Sequence, residues 1–425
     1  MDGLVFSDHT PTPGLFEYKK AIEPVQILNR GSNFVQIINR YDHVTLDHLK
    51  AEYFVVGNGF RKSGGEVQIP QGISPGATGK LNFNRLSIPA EECYLEIAFT
   101  LREATNWAEA GHEVAVGQVQ LVKPATLDSI RAYPSRVPQF KHNTAQLLEV
   151  TGEDSVWTFN VMHGTLTSWK RSGTELLHTA PVLNFYRALT DNDVGCHFGK
   201  NWTETFLPNT KAHVRAVSYS ATSSALTITV CARIAPPVLE WSVDTTLTYT
   251  FTSRALHIKV VGKPQGGNLP KTFARVGLTF SLRDVDSTTW FGRGPGESYR
   301  DKKLSQKVGT FTSSVDDLFT DYEFPQESGN RTDVRWVSFN TKSLTTGIKA
   351  SFGDLEDASF TALHYAAADL QAAKHPFELK KLKRKETVVR LDWAHHGLGT
   401  GSCGPATLPE YELSSRDFEY EILLE

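Results

Sequence analysis

The stretch HVRAVSYSATSSALTITVCARIAP, residues 213–236, and the stretch WSVDTTLTYTFTSRALHIKVVGK, residues 241–263, decide the fold class. Both alternate apolar and polar residues: threonines separate Leu226, Ile228 and Val230, while Leu247 and Tyr249 separate Thr246, Thr248 and Thr250. A period of two puts successive side chains on opposite faces of a pleated strand, and Thr, Val and Ile suit such a surface. The same pattern continues in FARVGLTFSLRDV (273–285), TGIKASFG (346–353), TVVRLDWAH (387–395) and EYEILLE (419–425). SVWTFNVMHGTLTSWKRSG (155–173) reads as a hairpin turning at His163 and Gly164. Helical signals are few. SSVDDLF (313–319) has a Ser cap before two acids, and YAAADLQAAK (365–374) ends before Pro376. The span 146–425 therefore reads as a large sandwich of two stacked, mostly antiparallel sheets.

Upstream, short β-type runs alternate with turn signals between residues 23 and 122: PVQILN, FVQIIN, AEYFVVGNG, GEVQIP, YLEIAFTLRE and HEVAVGQVQLV. Short strands at regular spacing, with no long helical period, predict a β-sandwich of immunoglobulin type over 15–122. LVKPATLDSIRAYPSRVPQ (121–139) holds three prolines and no alternation, so 123–145 reads as a linker. DHTPTPGLFEYKK (8–20) reads as a Pro-rich connector, with 1–14 as a junction. The expected class is all-β throughout.

Composition narrows the function classes. The chain has 425 residues, 40% of them apolar, and a formal charge of −3 with acids and bases interspersed. A dedicated nucleic-acid binder would need a basic face. The one basic run, KKLKRKE (380–386), reads as a solvated face or a local anion patch. Four cysteines, Cys93, Cys196, Cys231 and Cys403, are widely spaced with no C-x-x-C, which fits a reducing compartment rather than a zinc knuckle or disulfide scaffold. No signal peptide and no apolar run long enough to span a bilayer is visible, so the expectation is a cytoplasmic protein without a membrane partner.

Several motifs carry more than one reading. GTGSCG (399–404) has the G-x-G-x-x-G spacing of a dinucleotide turn, but that turn needs a helix after it, and PATLPEYEL begins with a proline and soon brings another. Cys403 lies within eight residues of His395 and His396, which leaves a catalytic thiol or simply a small residue in a glycine loop. In WFGRGPGESYRDKK (290–303), Glu297 and Asp301 read as an anion cradle's neighbours, as a carboxylate pair, or as caps on backbone amides at a strand exit. RALTDNDVG (187–195) reads as an acid-rich turn, since its glycine comes too early for a calcium loop. DYEFPQESGNRTDVRW (321–336) reads as a polar lid hinged at Gly329 or as an ordinary surface loop.

Taken in order, GLVFSDHTPTPGLFEYKK (3–20), FYRALTDNDVG (185–195), WFGRGPGESYRDKK (290–303), YEFPQESGNRTDVRW (322–336) and GLGTGSCGP (397–405) resemble landmarks of the large β-galactosidases of glycoside hydrolase family two. The resemblance covers essentially the whole chain and is closest to the fungal intracellular form. It implies a second immunoglobulin-like domain followed by a β-supersandwich, the small-chain domain, of galactose mutarotase-like fold. It also implies hydrolysis of terminal β-D-galactose with retention, by a general acid/base Glu and a nucleophile Glu in a (β/α)8 barrel that also binds magnesium and sodium. No alternating βα pattern occurs here, so no catalytic residue, cofactor or metal ligand is assigned to this chain.

What the resemblance carries over is a set of loops lent to a galactoside pocket. Cys403 stands at the tip where relatives commonly have Trp, beside Gly401 and Ser402, so an aromatic platform is missing. The loop PQESGNR contributes Glu327, Ser328, Gly329 and Arg331. The implied partners are the galactoside and a barrel-bearing chain or domain. Apolar surface that normally meets the barrel also points to self-association as a homo-oligomer. The alternative is a stand-alone carbohydrate-binding or structural module without activity.

Overall fold

The computed structural model describes residues 3–83, 86–128, 136–342 and 347–425. The alternation that opens the sequence becomes a literal in–out pattern. Along the strand Leu226–Ala235 every second residue is buried, and along Ser242–Phe251 Val243, Thr245, Leu247, Tyr249 and Phe251 point inward. These two strands pair in register, Thr229 opposite Thr248 and Ile228 opposite Tyr249. They belong to a nine-stranded antiparallel sheet that runs from the edge strand Lys211–Ala221 to the strand Lys307–Ser314.

A four-stranded sheet built around Arg275–Leu282 and Thr387–His395, and a five-stranded sheet built around Ser155–Asn160 and Thr165–Arg171, stack with it. One core joins all three sheets, with Trp157, Trp169, Trp241 and Trp290 fully buried in it. The chain is therefore all-β, as its alternation predicts. The strands Ser155–Asn160 and Thr165–Arg171 pair antiparallel across the His163–Gly164 turn.

Residues 25–122 form a separate sandwich of a three-stranded and a four-stranded sheet, around a core that includes Val35, Ile37, Leu95, Ile97 and Phe99. A polar seam fastens it to the larger unit. Gln118 exchanges two hydrogen bonds with the Val308 backbone, at 3.0 and 2.8 Å, and Arg335 donates to Glu92 at 3.0 Å.

Two expected irregular segments differ. Pro13–Ala21 is a helix rather than a connector: Pro13 stands where a helix has no use for its N–H, and Lys19 and Lys20 close the last turn. The strand Gln139–His142 pairs with Leu147–Thr151, so the sheet starts inside the stretch read as a linker. Part of that stretch, 129–135, lies outside the described residues, as does part of the expected strand TGIKASFG, which is observed as Ile348–Ser351. The run KKLKRKE sits at the surface, where Lys380, Lys383 and Arg384 pair with Asp321, Asp316 and Asp369. Among the described residues no helix is long and apolar enough to cross a membrane.

Candidate functional site

A cleft of about 740 Å³ opens between the N-terminal segment and the loops at one end of the large sandwich. Leu4, Phe6 and Tyr18 form one wall, and Asp191, Asn192, Tyr322, Phe324, Gln326, Ser402 and Cys403 face it. The N-terminal wall is pinned in place: Phe6 packs on Tyr322 with ring centroids 5.9 Å apart, and the Ser7 hydroxyl donates to Glu323.

The loop GTGSCG is a backbone turn held by side chains from two other segments, Asn192 and Asp301. Thr400 carbonyl accepts from Cys403 N at 3.1 Å and from Gly404 N at 2.6 Å. Asn192 clamps this turn with both ends of its amide. Its Nδ2 donates to the Gly399 carbonyl at 2.8 Å, and its Oδ1 accepts from Ser402 N at 3.1 Å and Ser402 Oγ at 2.8 Å. The fit is close enough to need glycine on both sides. A Cβ on Gly401 would lie 2.6 Å from the Asn192 carbonyl, and one on Gly195 would collide with the Gly401 carbonyl.

Asn192 sits in the short helix Asp191–Gly195, which the segment RALTDNDVG forms because Thr190 and Asp193 cap it reciprocally. Asp193 is buried and chelated by Arg187 at 2.5 and 3.1 Å. Both of its oxygens are thus spent on the helix cap and the guanidinium rather than left for a cation. Among the described residues no group of three His, Cys, Asp or Glu stands where it could hold a metal ion.

The floor is a set of buried ion pairs. Glu297 accepts from Lys302 Nζ (2.9 Å), Tyr322 OH (2.5 Å), Thr320 Oγ1 (2.9 Å) and Gly329 N (3.0 Å). Burial alone would raise its pKa, but Lys302, the Gly329 N–H and the Tyr322 hydroxyl outweigh burial and hold it at about 2. Glu327 takes both oxygens to Arg390, at 2.8 and 2.7 Å, with His395 Nε2 3.9 Å away.

Arg331 is buried, has no carboxylate partner among the described residues, and donates instead to the carbonyls of Leu318, Gly329 and Pro295. Burial pulls its pKa down to about 10. Asp301 accepts from Leu398 N (2.9 Å) and Gly399 N (2.7 Å), so it caps the base of the GTGSCG loop. Among the described residues six carboxylates line the cleft, Glu17, Asp191, Glu297, Asp301, Glu323 and Glu327, and each accepts from a donor of this chain.

The residues singled out in the sequence therefore divide. Cys403, Ser402 and Glu327 line the cleft, Cys403 and Ser402 exposed and Glu327 buried in its ion pair. Gly401 packs behind its loop on Asn192 and Cys196. Ser328, Gly329 and Arg331 are buried and do not line the cleft, so 326–332 is a fixed floor segment rather than a polar lid. Gly329 is left-handed at φ 77°, and a Cβ there would fall 2.7 Å from the Leu318 carbonyl, which fixes the turn rather than hinging it.

Among the described residues no hydrogen bond joins the Cys403 thiol to a histidine. His395 is buried against Tyr299, and His396 packs between Phe198 and Trp202, where burial lowers its pKa to about 4. Beyond the GTGSCG loop the chain makes a single 3-10 turn, Pro409–Tyr411, too short to serve as a dinucleotide helix. Asn192, Arg187 and Arg390 are the organising residues that sequence reading passed over. The only local signal was the T-D-N-D string, whose capping-box spacing was legible.

Comparison with known proteins gives this architecture a family. The pattern defining the family described as "Beta galactosidase small chain" matches residues 151–424, and that of "Beta-galactosidase, domain 4" matches residues 35–122. The chain is 33% identical to a β-galactosidase of Kluyveromyces lactis, over 99% of this chain and 39% of that protein. It is 32% identical to a β-galactosidase of Arthrobacter sp. strain B7, over 97% of this chain and 42% of that protein. It thus spans about two fifths of the length of these curated relatives. A solved galactose 1-epimerase of Lactobacillus acidophilus aligns with a TM-score of 0.32 at 9% identity, covering 68% of this chain and 96% of that one, too remote to bear on the site. With the small-chain pattern matching residues 151–424, most of the large sandwich, this chain belongs to the β-galactosidase small-chain family.

Proposed function

We propose that this chain is the C-terminal part, or a small subunit, of a retaining β-galactosidase of glycoside hydrolase family two. Its loops complete a galactoside pocket for terminal β-D-galactose, as in lactose, while a barrel-bearing chain or domain supplies the catalytic pair. One observation carries this reading: among the described residues, each of the six carboxylates on the cleft accepts from a donor within the chain.

Retaining hydrolysis needs two carboxyl groups about 5–5.5 Å apart, one able to hold and release a proton and one free to attack. Glu297, held at about 2 by four donors, cannot keep a proton near neutral pH. Glu327 is bound through both oxygens to Arg390. The cleft can shape and orient a ligand: Ser402 and Cys403 present small polar groups, and Tyr18, Phe324 and Leu408 present half-exposed apolar surface for a sugar ring or a docking barrel. Magnesium and sodium, a cytoplasmic setting and a fungal intracellular origin belong to the same reading.

The test is complementation. The Kluyveromyces lactis relative, prepared without the region this chain matches, is mixed with this chain and followed by gel filtration and nitrophenyl-galactoside hydrolysis. Co-elution with activity that neither part has alone is expected. Two parts that never associate would remove the proposal. A stand-alone carbohydrate-binding module is the second reading, favoured by the wall that this chain's own residues 3–21 build along the cleft. Saturable galactose binding by the isolated chain, together with failed complementation, would select it.

A further inference from the structure

A second depression, about 470 Å³, lies on the outer face of the nine-stranded sheet and shares no residue with the cleft. The pairing register builds it. Arg233, Asp244 and Lys263 stand opposite one another on three neighbouring strands, and Cys231 and Thr246 stand two residues along, on the same face. On the edge strand Lys211–Ala221 the register shifts between Val214 and Ala216, so Arg215 is an extra residue, and its side chain lines the same concavity. Bulges of this kind re-aim a side chain and recur beside binding sites.

The charges in this depression are unbalanced. Arg215, Arg233 and Lys263 converge on it, and among the described residues none forms an ion pair; Arg233 spends one N–H on the Glu240 carbonyl at 3.3 Å. The one carboxylate in the lining, Asp244, accepts from Gln265 at 2.7 Å. Positive charge on an edge strand can serve simply to discourage edge-to-edge pairing. That accounts for Arg215 but not for Arg233 and Lys263, which sit on the second and fourth strands from the edge. Elsewhere on the surface, cations such as Lys380, Lys383 and Arg384 have acidic partners. Among the described residues the lining has no aromatic ring on which a sugar could stack. Two guanidinium forks, an ammonium and the Thr246 hydroxyl around a concavity of small-molecule size suit a compact polyanion.

We propose that this depression binds a small phosphate-bearing anion, of the size of inorganic pyrophosphate or a phosphomonoester. The full chain titrated with pyrophosphate at low salt, by calorimetry, should show saturable one-to-one binding. Arg215→Gln, Arg233→Gln and Lys263→Gln should each weaken it by about tenfold, the loss of one charge-assisted contact. Asp244→Asn should tighten it, and the charge-matched control Lys374→Gln, on another surface, should leave it unchanged. Pyrophosphate should also slow iodoacetamide labelling of Cys231, followed by peptide mass, while labelling of Cys403 keeps its rate. The proposal is overturned by an absence of saturable binding up to about 10 mM, or by a control variant that weakens binding as much as Arg215→Gln does.

Discussion

Two loops meet at the cleft, and they are built in opposite ways. Residues 327–332 are buried and held by side chains: Glu327 by Arg390, and the Gly329 amide by Glu297. Residues 399–404 are mostly exposed and held by a backbone turn plus two side chains, Asn192 and, at the base, Asp301. Both carry glycine and serine, and as letters both look like mobile lids. What separates them is burial. The first draws on residues 32 and 63 positions away in the chain, and its bonds are buried between the sheets. The second draws on Asn192, 207 to 210 positions away, and on Asp301, 98 away, but most of its own residues stay exposed. The difference predicts that the first loop is as stable as the whole fold, while the second can open locally.

The sharpest way to break the contrast is Arg390→Met. It leaves the buried Glu327 without its cation, and the expected cost is about 3–5 kcal/mol of global stability, read from denaturant unfolding. An effect below about 1 kcal/mol would mean that the floor behaves like a surface loop.

Acid titration probes the same floor. Glu297 is held at about 2 in the folded chain, below the roughly 4.3 of a free side chain. Its contribution is therefore fully present above the unfolded value and is lost as pH falls through about 2, on the order of 3 kcal/mol in all. Glu297→Gln should flatten the stability profile between about pH 4.5 and 2. An unchanged slope in that variant would locate the acid sensitivity elsewhere.

Asn192→Ala should act locally. It removes three hydrogen bonds to the exposed loop and should cost about 1–2 kcal/mol globally. It should also speed amide exchange at Ser402, whose N–H bonds to Asn192, while Gly329 keeps its protection. Equal acceleration at both positions would erase the distinction between the loops. The smallest effect is expected from Cys403→Ser, within about 0.5 kcal/mol of the parent and with unchanged hydrolysis in a complemented complex. A loss of activity by orders of magnitude there would restore the thiol as a nucleophile.

How much of this was legible in the sequence depends on the range of the interactions. The strand Leu226–Ala235 and the His163–Gly164 hairpin are written locally, as a period of two and a turn pair, and they appear as read. The helix Pro13–Ala21 was missed because its prolines suggested a connector, although Pro at the first helical position and lysines in the last turn were visible. The reading of Glu297 and Asp301 as caps on backbone amides was available at a strand exit, and their amides prove to be those of Gly329, Leu398 and Gly399. The buried pairs Arg390 with Glu327 and Arg275 with Asp392 join positions 63 and 117 residues apart, and nothing in the local letters announces them. The depression around Arg215 depends on a register shift, which a strand pattern cannot reveal.

We propose that the cleft carries no catalytic carboxylate pair of its own. Galactoside hydrolysis by the purified chain, alone, tests it most directly. The expected rate is indistinguishable from buffer, and unchanged in Glu297→Gln and Glu327→Gln variants that remain folded. Robust hydrolysis by the chain alone, abolished by either substitution, would contradict it.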